Sequence, residues 1–433
     1  MTDYRPPTAL PRALLERADV RAALAAHDFG TVFALARRHA GISYAKIAAE
    51  CDIKPERVGS LARGQGSVTT FEKITRIADA LRIPGSLLGL ASRPWEAGLT
   101  PDVDGEDSVR RRDFFKASAG SGLAASLPEL TRPQAGRHIG SDTPKRLRER
   151  TARLRRLDDI LGGGDTYRVY LGEYQATKAL IRDTTYTETT GRALLSVLAE
   201  QAQQAGWAAF DAGRPTEAAG FYETSHQAAT EAADTALAGN ALAFLAYQTT
   251  PNNRKAGIEI AERSVTEAGP EAPPAVRALL QERLAWAHAV AGNAPQTEQA
   301  LDAAAASLAE ADDDTPRPDW VAWVDHTELQ IMTGRCWSEL CRPLRAVPVL
   351  QTALAGYDSR HARDKSLYLS WLAAAYVHAG EIEQAAVVAD QALDLSAEVA
   401  SVRPRQRLAP VLNDLTGHRA LPAVAGVLEK AGL

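Results

Sequence analysis

Cysteines and long apolar runs are both scarce in this sequence. The 433 residues include only Cys51, Cys336 and Cys341, and no two of them form a CxxC pair. We therefore expect reduced thiols and a cytoplasmic location. No stretch approaches the roughly 18 uninterrupted apolar residues of a membrane span, and the N-terminal MTDYRPPTALPR lacks an apolar core. The sequence therefore predicts neither a membrane-spanning helix nor a signal peptide.

Enzyme signatures are also missing. The glycine run at 162–165, GGGD, lacks the preceding strand, the lysine and the Ser/Thr of a phosphate-binding loop. His326 and His361 have no neighbours at metal-ligand spacing, and no Ser, His and Asp stand in the context of a catalytic triad. We therefore predict that the chain is not an enzyme and that it uses no metal or cofactor.

The net charge of −5 is unevenly distributed. Residues 1–95 contain 14 Lys/Arg and 9 Asp/Glu, residues 96–107 contain 5 acids and no base, and residues 108–156 contain 13 bases and 4 acids. The remaining residues, 157–433, have 22 bases and 36 acids. A basic N-terminal part followed by an acidic body predicts that a polyanion binds at one end only.

Apolar residues recur with helical periodicity along the chain, and no segment alternates convincingly as a strand does, so we predict an all-α fold. A chain of this length requires two or three domains. We predict an N-terminal helical domain at 1–92, a flexible linker rich in Pro, Gly, Ser and Asp at 93–143, and a helical repeat domain at 144–433. In the first domain the pattern predicts five helices, at 28–40, 43–50, 54–63, 69–81 and 84–90.

Residues 41–64, GISYAKIAAECDIKPERVGSLARG, have the spacing of two short helices joined by a tight turn. Ala48 is small at the point where the next helix must cross. Four apolar residues supply a small core that locks the two helices: Ile47, Ile53, Val58 and Leu61. This spacing predicts a helix-turn-helix whose second helix lies in the major groove of DNA.

Polar residues on the outer face of this motif are candidate DNA contacts. Arg57 can donate two hydrogen bonds to guanine, and residues at the start of the first helix lie where phosphate contacts set the register. The loop before the next helix suits a further phosphate. The predicted DNA-binding residues are Ser43, Tyr44, Lys46, Lys54, Glu56, Arg57, Ser60, Arg63, Gln65 and Thr69.

Together with the closing segment ITRIADALRIPGSLLGL, this stretch resembles the xenobiotic-response-element family of lambda-repressor-like regulators. The resemblance implies a helix-turn-helix fold and binding to double-stranded DNA. Tyr44, Gly59 and Ala62 depart from the family pattern, which usually has Gln, a polar residue and Glu at these positions. These departures keep a second hypothesis open, in which the chain is a protein-interaction scaffold that no longer binds DNA.

Within the linker, residues 111–116, RRDFFK, resemble the twin-arginine export motif. Such a signal is read near an N-terminus, whereas this motif follows a predicted folded domain. We favour a basic linker helix that supports the DNA-binding end or docks on the acidic body. Export of the repeat domain remains the minor alternative.

A basic amphipathic segment begins at residue 144 and places Leu147, Leu154 and Leu161 seven residues apart. Three turns fall short of the heptads that a coiled coil needs, so packing onto the following helices is favoured over a dimeric coiled coil.

The body from about residue 165 repeats, and its clearest copy is at 366–395. There, small or apolar residues recur where two packed helices must touch, with Gly380 in the turn. This pattern resembles the tetratricopeptide repeat. The second-helix anchors of five copies are Ala218, Ala256, Ala300, Ala346 and Ala385. Their spacing exceeds the roughly 34 residues of a standard repeat, which predicts degenerate copies with longer loops.

Stacked helix pairs form a curved solenoid with a concave groove. The residues predicted to face this groove are Gln203, Trp207, Phe210, Glu282, Trp286, Glu328, Ile331 and His378. Mixed aromatic and acidic side chains suit a peptide or a basic small molecule, with packing between repeats as the alternative role of each aromatic.

A helix-turn-helix ahead of such repeats resembles the bacterial quorum-sensing regulators, whose repeat domain binds a signalling peptide and sets the dimer geometry. The resemblance implies a sequence-specific transcription regulator. We expect its C-terminal domain to form a homodimer and to sense a peptide or small-molecule effector.

Overall fold

The structure is a computed structural model that describes residues 6–68, 71–88, 93, 95–96, 138–161, 163–311, 317–357, 361–397 and 399–433. Across these residues the regular structure is helical, apart from one isolated bridge between His138 and Thr185. The predicted all-α fold is therefore confirmed. Thr69 and the RRDFFK segment lie outside the described residues.

The N-terminal helices pack into one unit, which we call the N-terminal unit and which comprises residues 6–88. Its helices are α1 (Arg12–Leu15), α2 (Ala18–Ala25), α3 (Phe29–Ala40), α4 (Tyr44–Cys51), α5 (Pro55–Ala62) and α6 (Phe71–Leu81). The described part of the predicted fifth helix, residues 84–88, contains a 3-10 turn at Gly85–Leu87. The sequence pattern did not predict α1 and α2.

Local capping explains where α3, α4 and α5 begin and end. The Asp28 side chain accepts a hydrogen bond from the backbone N–H of Thr31, and Ser43 does the same for Lys46. Gly41 ends α3 with a φ of 65°, which a residue without a Cβ adopts at little cost. Pro55 occupies the first turn of α5, where its missing N–H leaves no intrahelical bond unmade.

The core of the N-terminal unit is built where α3 crosses α5. Phe29, Phe33 and Ile47 are among its fully buried side chains. Gly30 lies so close to α5 that an added Cβ would stand 2.0 Å from the carbonyl oxygen of Leu61. Only glycine therefore allows this approach of the two helices.

The remaining described helices form a second unit, which we call the helical body and which comprises residues 138–433. They are α7 (Asp142–Leu161), α8 (Gly163–Asp183), α9 (Glu188–Asp211), α10 (Pro215–Glu231), α11 (Thr235–Thr249), α12 (Arg254–Ala268), α13 (Pro274–Ala291), α14 (Ala294–Ala309), α15 (His326–Glu339), α16 (Pro343–Ala355), α17 (Ala362–Ala379), α18 (Ile382–Ser396), α19 (Arg403–Leu415) and α20 (Pro422–Ala431). From α9 to α18 each odd-numbered helix packs most closely against the helix that follows it.

These five helix pairs coincide with the five predicted copies of the repeat. Ala218, Ala300, Ala346 and Ala385 are all buried. Ala256 is only half-buried, and its neighbour Gly257 is buried in its place. A Cβ on Gly257 would stand 2.2 Å from the Thr250 hydroxyl oxygen, so α11 and α12 meet at a glycine and the predicted anchor was wrong by one residue.

The end of the series of helix pairs returns to its beginning. The backbone N–H of Val402 donates to the carbonyl oxygen of Asp211 at 3.1 Å, and that of Gly164 donates to Ala400 at 2.8 Å. The Asp211 carboxylate also accepts hydrogen bonds from the Ser401 hydroxyl and from the Gly163 N–H, each at 2.7 Å. The contact between these two ends closes the helical body around its concave side, which the sequence predicted as a groove.

Helix α7 packs inside the helical body and also reaches the N-terminal unit. Leu147 and Leu154 are both buried, while the Leu161 side chain lies outside the described residues. Leu154 belongs to a continuous apolar cluster that includes the core of the N-terminal unit. Ile139 is buried as well and lies in one apolar cluster with Leu147. In the described part of the chain no helix combines the length and apolarity that crossing a membrane requires.

Candidate functional site

The α4–α5 surface brings together the predicted DNA-binding residues that the structure describes. The two helices are separated by residues 52–54, and Ile47, Ala48, Val58 and Leu61 are buried beneath them. Ser43, Lys46, Lys54, Glu56, Arg63 and Gln65 are exposed, and Tyr44, Arg57 and Ser60 are half-buried. Polar residues therefore cover the outer face of the same two helices whose inner face forms the core.

The side chains of Arg57 and Tyr44 contact residues outside α4 and α5. The Arg57 guanidinium donates to the carbonyl oxygen of Ser67 at 3.1 Å and packs against Gly66, so it braces the loop after α5. Tyr44 lies under the Arg37 guanidinium, 4.7 Å from its carbon to the ring centroid. A base contact by Arg57 would require it to release the loop.

Three other cations on this surface are exposed, unlike the half-buried Arg57. Among the described residues, Lys46, Lys54 and Arg63 form no ion pair with a carboxylate. Arg63 only approaches the Ser60 hydroxyl at 3.4 Å. Exposed cations of this kind suit phosphate oxygens, which contribute affinity without sequence preference.

A second candidate site is a cavity of about 400 Å³ on the enclosed side of the helical body. Its walls combine aromatic, cationic and acidic side chains. The aromatic side chains are Tyr170, Trp207, Phe244, Tyr247, Trp320, Trp323, Tyr357 and Tyr368. The cations are Arg155, Arg283, Arg335, Arg363 and Arg403, and the acids are Glu200, Asp325, Glu328 and Asp364. Aromatic walls with a few convergent polar groups are typical of small-molecule sites.

Arginines in this cavity are stacked on aromatic rings. The Arg335 guanidinium carbon lies 4.1 Å from the Trp371 ring centroid and 4.9 Å from that of Trp286. Arg403 lies 4.4 Å from the Trp207 ring centroid. Arg335 and Arg403 are 3% and 8% exposed, so these cation–π contacts act away from bulk water, where they are strongest.

Tyr247 connects the arginines to one another. Its hydroxyl oxygen accepts hydrogen bonds from Arg335 at 3.0 Å and from Arg403 at 3.1 Å. Arg283 lies 5.4 Å from the Tyr247 ring centroid. Burial raises the pKa of Tyr247, but the three arginines together outweigh burial and lower this pKa to about 8.

Two buried carboxylates, those of Glu282 and Glu328, lie near Arg283 and Arg335. Burial raises the pKa of Glu282, and the nearby Glu328 carboxylate raises it further. Burial also raises the pKa of Glu328, whose carboxylate accepts a hydrogen bond from the Tyr368 hydroxyl at 2.9 Å. Both oxygens of Glu282 are buried and accept no hydrogen bond from the described residues. Both glutamates are therefore biased towards the neutral acid.

The structure places the eight predicted groove residues in different surroundings. Gln203, Trp207 and Glu328 line the cavity. Three more do not line the cavity but lie next to its arginines: Trp286 lies under Arg335, Phe210 under Arg403, and Glu282 near Arg283 and Arg335. Ile331 is a fully buried core residue, and His378 is exposed near Cys341, so neither belongs to the cavity.

The arginines of the cavity were not among the residues predicted from the sequence. Arg335 follows Glu328 and Ile331 at helical spacing on α15, so the same periodicity could have placed it on the same side. Arg403 had no comparable signal, because it reaches the cavity only when the chain returns to Asp211.

No protein-family model matches this sequence, and no curated protein is significantly similar to it.

Proposed function

We propose that this chain is a sequence-specific DNA-binding transcription regulator that acts as a homodimer, with α4–α5 as its helix-turn-helix. The observation that carries the proposal is the coincidence of a small buried core with a polar outer face on two helices separated by three residues. In this arrangement α5 enters the major groove, and Lys46 and Lys54 contact phosphates. A dimer on a two-fold site is favoured because one such module makes few contacts.

The effector site in this proposal is the cavity of the helical body. Its volume lies near the lower end of the range of about 300–1,000 Å³ that is usual for ligand sites. A cavity of about 400 Å³ favours a small molecule over an extended peptide. The stacked helix pairs around it serve as a solenoid-like scaffold.

Helix α7 is the element that can link effector and DNA. Arg155 of α7 forms ion pairs with Glu200 and Asp319 at the cavity. One residue earlier, Leu154 lies in the apolar cluster that is continuous with the N-terminal unit. A ligand that displaces Arg155 from its carboxylates would shift α7 and with it the position of the DNA-binding helices.

Selection of binding sites from random DNA by the full-length protein tests the proposal. We expect one enriched two-fold sequence, bound at least about tenfold more tightly than a scrambled duplex. Arg57→Ala should lower that affinity by about tenfold or more, since an Arg–guanine pair contributes about 1–3 kcal/mol. Arg63→Ala tests the same face without disturbing the contact to Ser67, and Lys255→Ala, an exposed cation of the helical body, is the control.

Absence of any enriched sequence would favour the second candidate, a protein-interaction scaffold. The contacts of Arg57 with Ser67 and of Tyr44 with Arg37 support that candidate, because both occupy residues expected to meet DNA. A gel shift at low salt separates the two functions, since a scaffold should bind DNA no better than nonspecifically.

A further inference from the structure

Positive charge is concentrated at one place in the cavity, around the hydroxyl of Tyr247. Arg335 and Arg403 donate to that oxygen, and Arg283 lies over the same ring. These arginines come from α13, α15 and α19, which are far apart in sequence. Three guanidinium groups at one phenol form a site that attracts an anion.

Each of the three arginines retains one buried hydrogen-bond donor without an acceptor among the described residues, and that of Arg403, Nη1, lies within ion-pair distance of the Asp211 carboxylate. Nε of Arg335 and Nη1 of Arg283 are buried and have no acceptor among the described residues. Among the described residues, neither Arg335 nor Arg283 forms an ion pair with a carboxylate. By contrast, Nη1 of Arg403 lies 3.5 Å from Oδ1 of Asp211. A buried donor without an acceptor is costly, so an anion that reached these guanidinium groups would relieve that cost.

The carboxylates that line the cavity already have partners within the protein. Glu200 pairs with Arg155, Asp364 pairs with Arg363, and Glu328 accepts from Tyr368. The raised pKa of Glu328 and of Glu282 further weakens the negative charge opposite the arginines. A cationic ligand would therefore meet three guanidinium groups and few unengaged carboxylates, which disfavours the basic ligand expected from the sequence.

The rest of the cavity surface is aromatic. Trp207, Phe244 and Trp323 line it, and Trp323 is 40% exposed. Arg283 lies 5.6 Å from the Trp323 ring centroid, so an aromatic face adjoins the cationic region. Flat apolar groups pack well on such rings, in offset or edge-to-face arrangements.

We propose that the cavity binds a small planar organic acid, whose carboxylate accepts hydrogen bonds from Arg283 and Arg335 beside Tyr247 and whose ring packs on the aromatic wall. Guanidinium forks match the two oxygens of a carboxylate, and the cavity holds only a compact molecule. The inference rests on the proposed effector site and names its ligand class.

Calorimetric titration of the full-length protein tests the inference with matched probes. The acids are 1-naphthoate and indole-3-acetate, their neutral counterparts are 1-naphthamide and indole-3-acetamide, and tryptamine is the cation. We expect at least one acid to bind about tenfold or more tightly than its amide. Acids that bind no better than their amides up to about 5 mM would overturn the inference.

Arginine variants locate the binding. Arg283→Met removes a half-buried guanidinium, and Arg335→Lys keeps the charge but removes the fork. Each should weaken acid binding by about tenfold and leave the weak binding of the amide unchanged. Arg345→Met is the matched control, because Arg345 also stacks on a tryptophan, Trp337, but lies outside the cavity.

Acid binding that both cavity variants leave unchanged, with circular dichroism showing that they are folded, would also overturn the inference. Failure of the inference is separable from failure of the proposed function. Tight binding of tryptamine or of an amide, lost in Trp207→Ala, would retain an effector site while rejecting the acid. DNA binding is measured independently, by the site selection described above.

Discussion

The N-terminal unit and the helical body place their cations in opposite surroundings. Lys46 on α4 and Lys54 and Arg63 at the two ends of α5 are exposed around the buried apolar side chains of these helices. In the helical body, Arg335 and Arg403 are almost fully buried among tryptophans and tyrosines. Exposed cations are screened by salt and suit a large polyanion, whereas buried ones act strongly on a small ligand that excludes water.

This difference also changes what each region needs for stability. Both units contain close helix contacts at glycines, as at Gly30 and Gly257, but the helical body also depends on matching buried charges, as at Asp211. Substitutions at these two kinds of position should therefore have different consequences, and the following predictions run from the largest expected effect to the smallest.

Loss of the Asp211 carboxylate should be the most damaging change. Asp211→Asn leaves the buried Arg403 without its anion and weakens the contact between the two ends of the helical body. We expect the free energy of unfolding of the body to fall by about 3 kcal/mol, measured by urea denaturation. Glu188→Gln, which removes an exposed partner of Arg192, is the control and should cause no measurable change. Equal stability of the two variants would contradict the buried-charge interpretation.

Packing between α3 and α5 should respond to a single methyl group. Gly30→Ala forces the Leu61 carbonyl away, and we expect a loss of about 2 kcal/mol confined to the N-terminal unit. Hydrogen exchange resolved along the chain measures where the loss occurs. Gly220→Ala on α10 meets nothing within 4 Å and should instead stabilise the chain by about 0.5–1 kcal/mol. Protection that falls in both units alike would argue against this placement.

Salt dependence should distinguish the exposed cations from the buried ones. Lys46→Ala and Lys54→Ala should each lower the slope of log affinity for DNA against log salt concentration by about 0.9. Arg335→Lys should leave that slope unchanged, because its charge is buried and retained. An unchanged slope in both lysine variants would show that this face does not meet phosphates.

Tyr247 should ionise before an ordinary tyrosine does. Its pKa of about 8 lies below the value near 10 of an unfolded tyrosine. Ionisation of Tyr247 therefore increases the free energy of unfolding. The full increase is present above about pH 10, and it is lost as the pH falls through about 8. Absorbance at the phenolate wavelength should show one early tyrosine that Tyr247→Phe removes, whereas burial raises the pKa of Tyr222 and delays its ionisation. Persistence of the early step in Tyr247→Phe would refute the assignment.

Much of the fold could be predicted because it depends on neighbours in the sequence. Asp28, Ser43 and Pro55 mark helix starts through local bonds and backbone preference, and helical periodicity identifies the buried face. The five helix pairs could also be predicted, with one anchor displaced from Gly257 to Ala256 because a small residue stands at both positions.

The residues of the α4–α5 surface could be predicted better than those of the cavity. Residues of the α4–α5 surface follow from the spacing of two short helices, although the contact of Arg57 with Ser67 depends on the path of the following loop. Of the residues predicted to face a groove, Gln203, Trp207 and Glu328 line the cavity, whereas Ile331 is buried in the core and His378 is exposed outside the cavity. Periodicity shows which residues share one side of a helix, but not how that helix is oriented in the fold. It therefore cannot decide which side lines the cavity.

The sequence by itself determined most of the helices, their pairing and the separation of a basic N-terminal part from an acidic body, because these follow from local backbone preferences and composition. Tertiary structure alone decided that the body is enclosed, and that Arg283, Arg335 and Arg403 meet at Tyr247. The physical reason is that this meeting depends on contacts such as that of Asp211 with Arg403, between residues almost two hundred positions apart. No local pattern records such a contact, since its energy exists only once the intervening helices have packed.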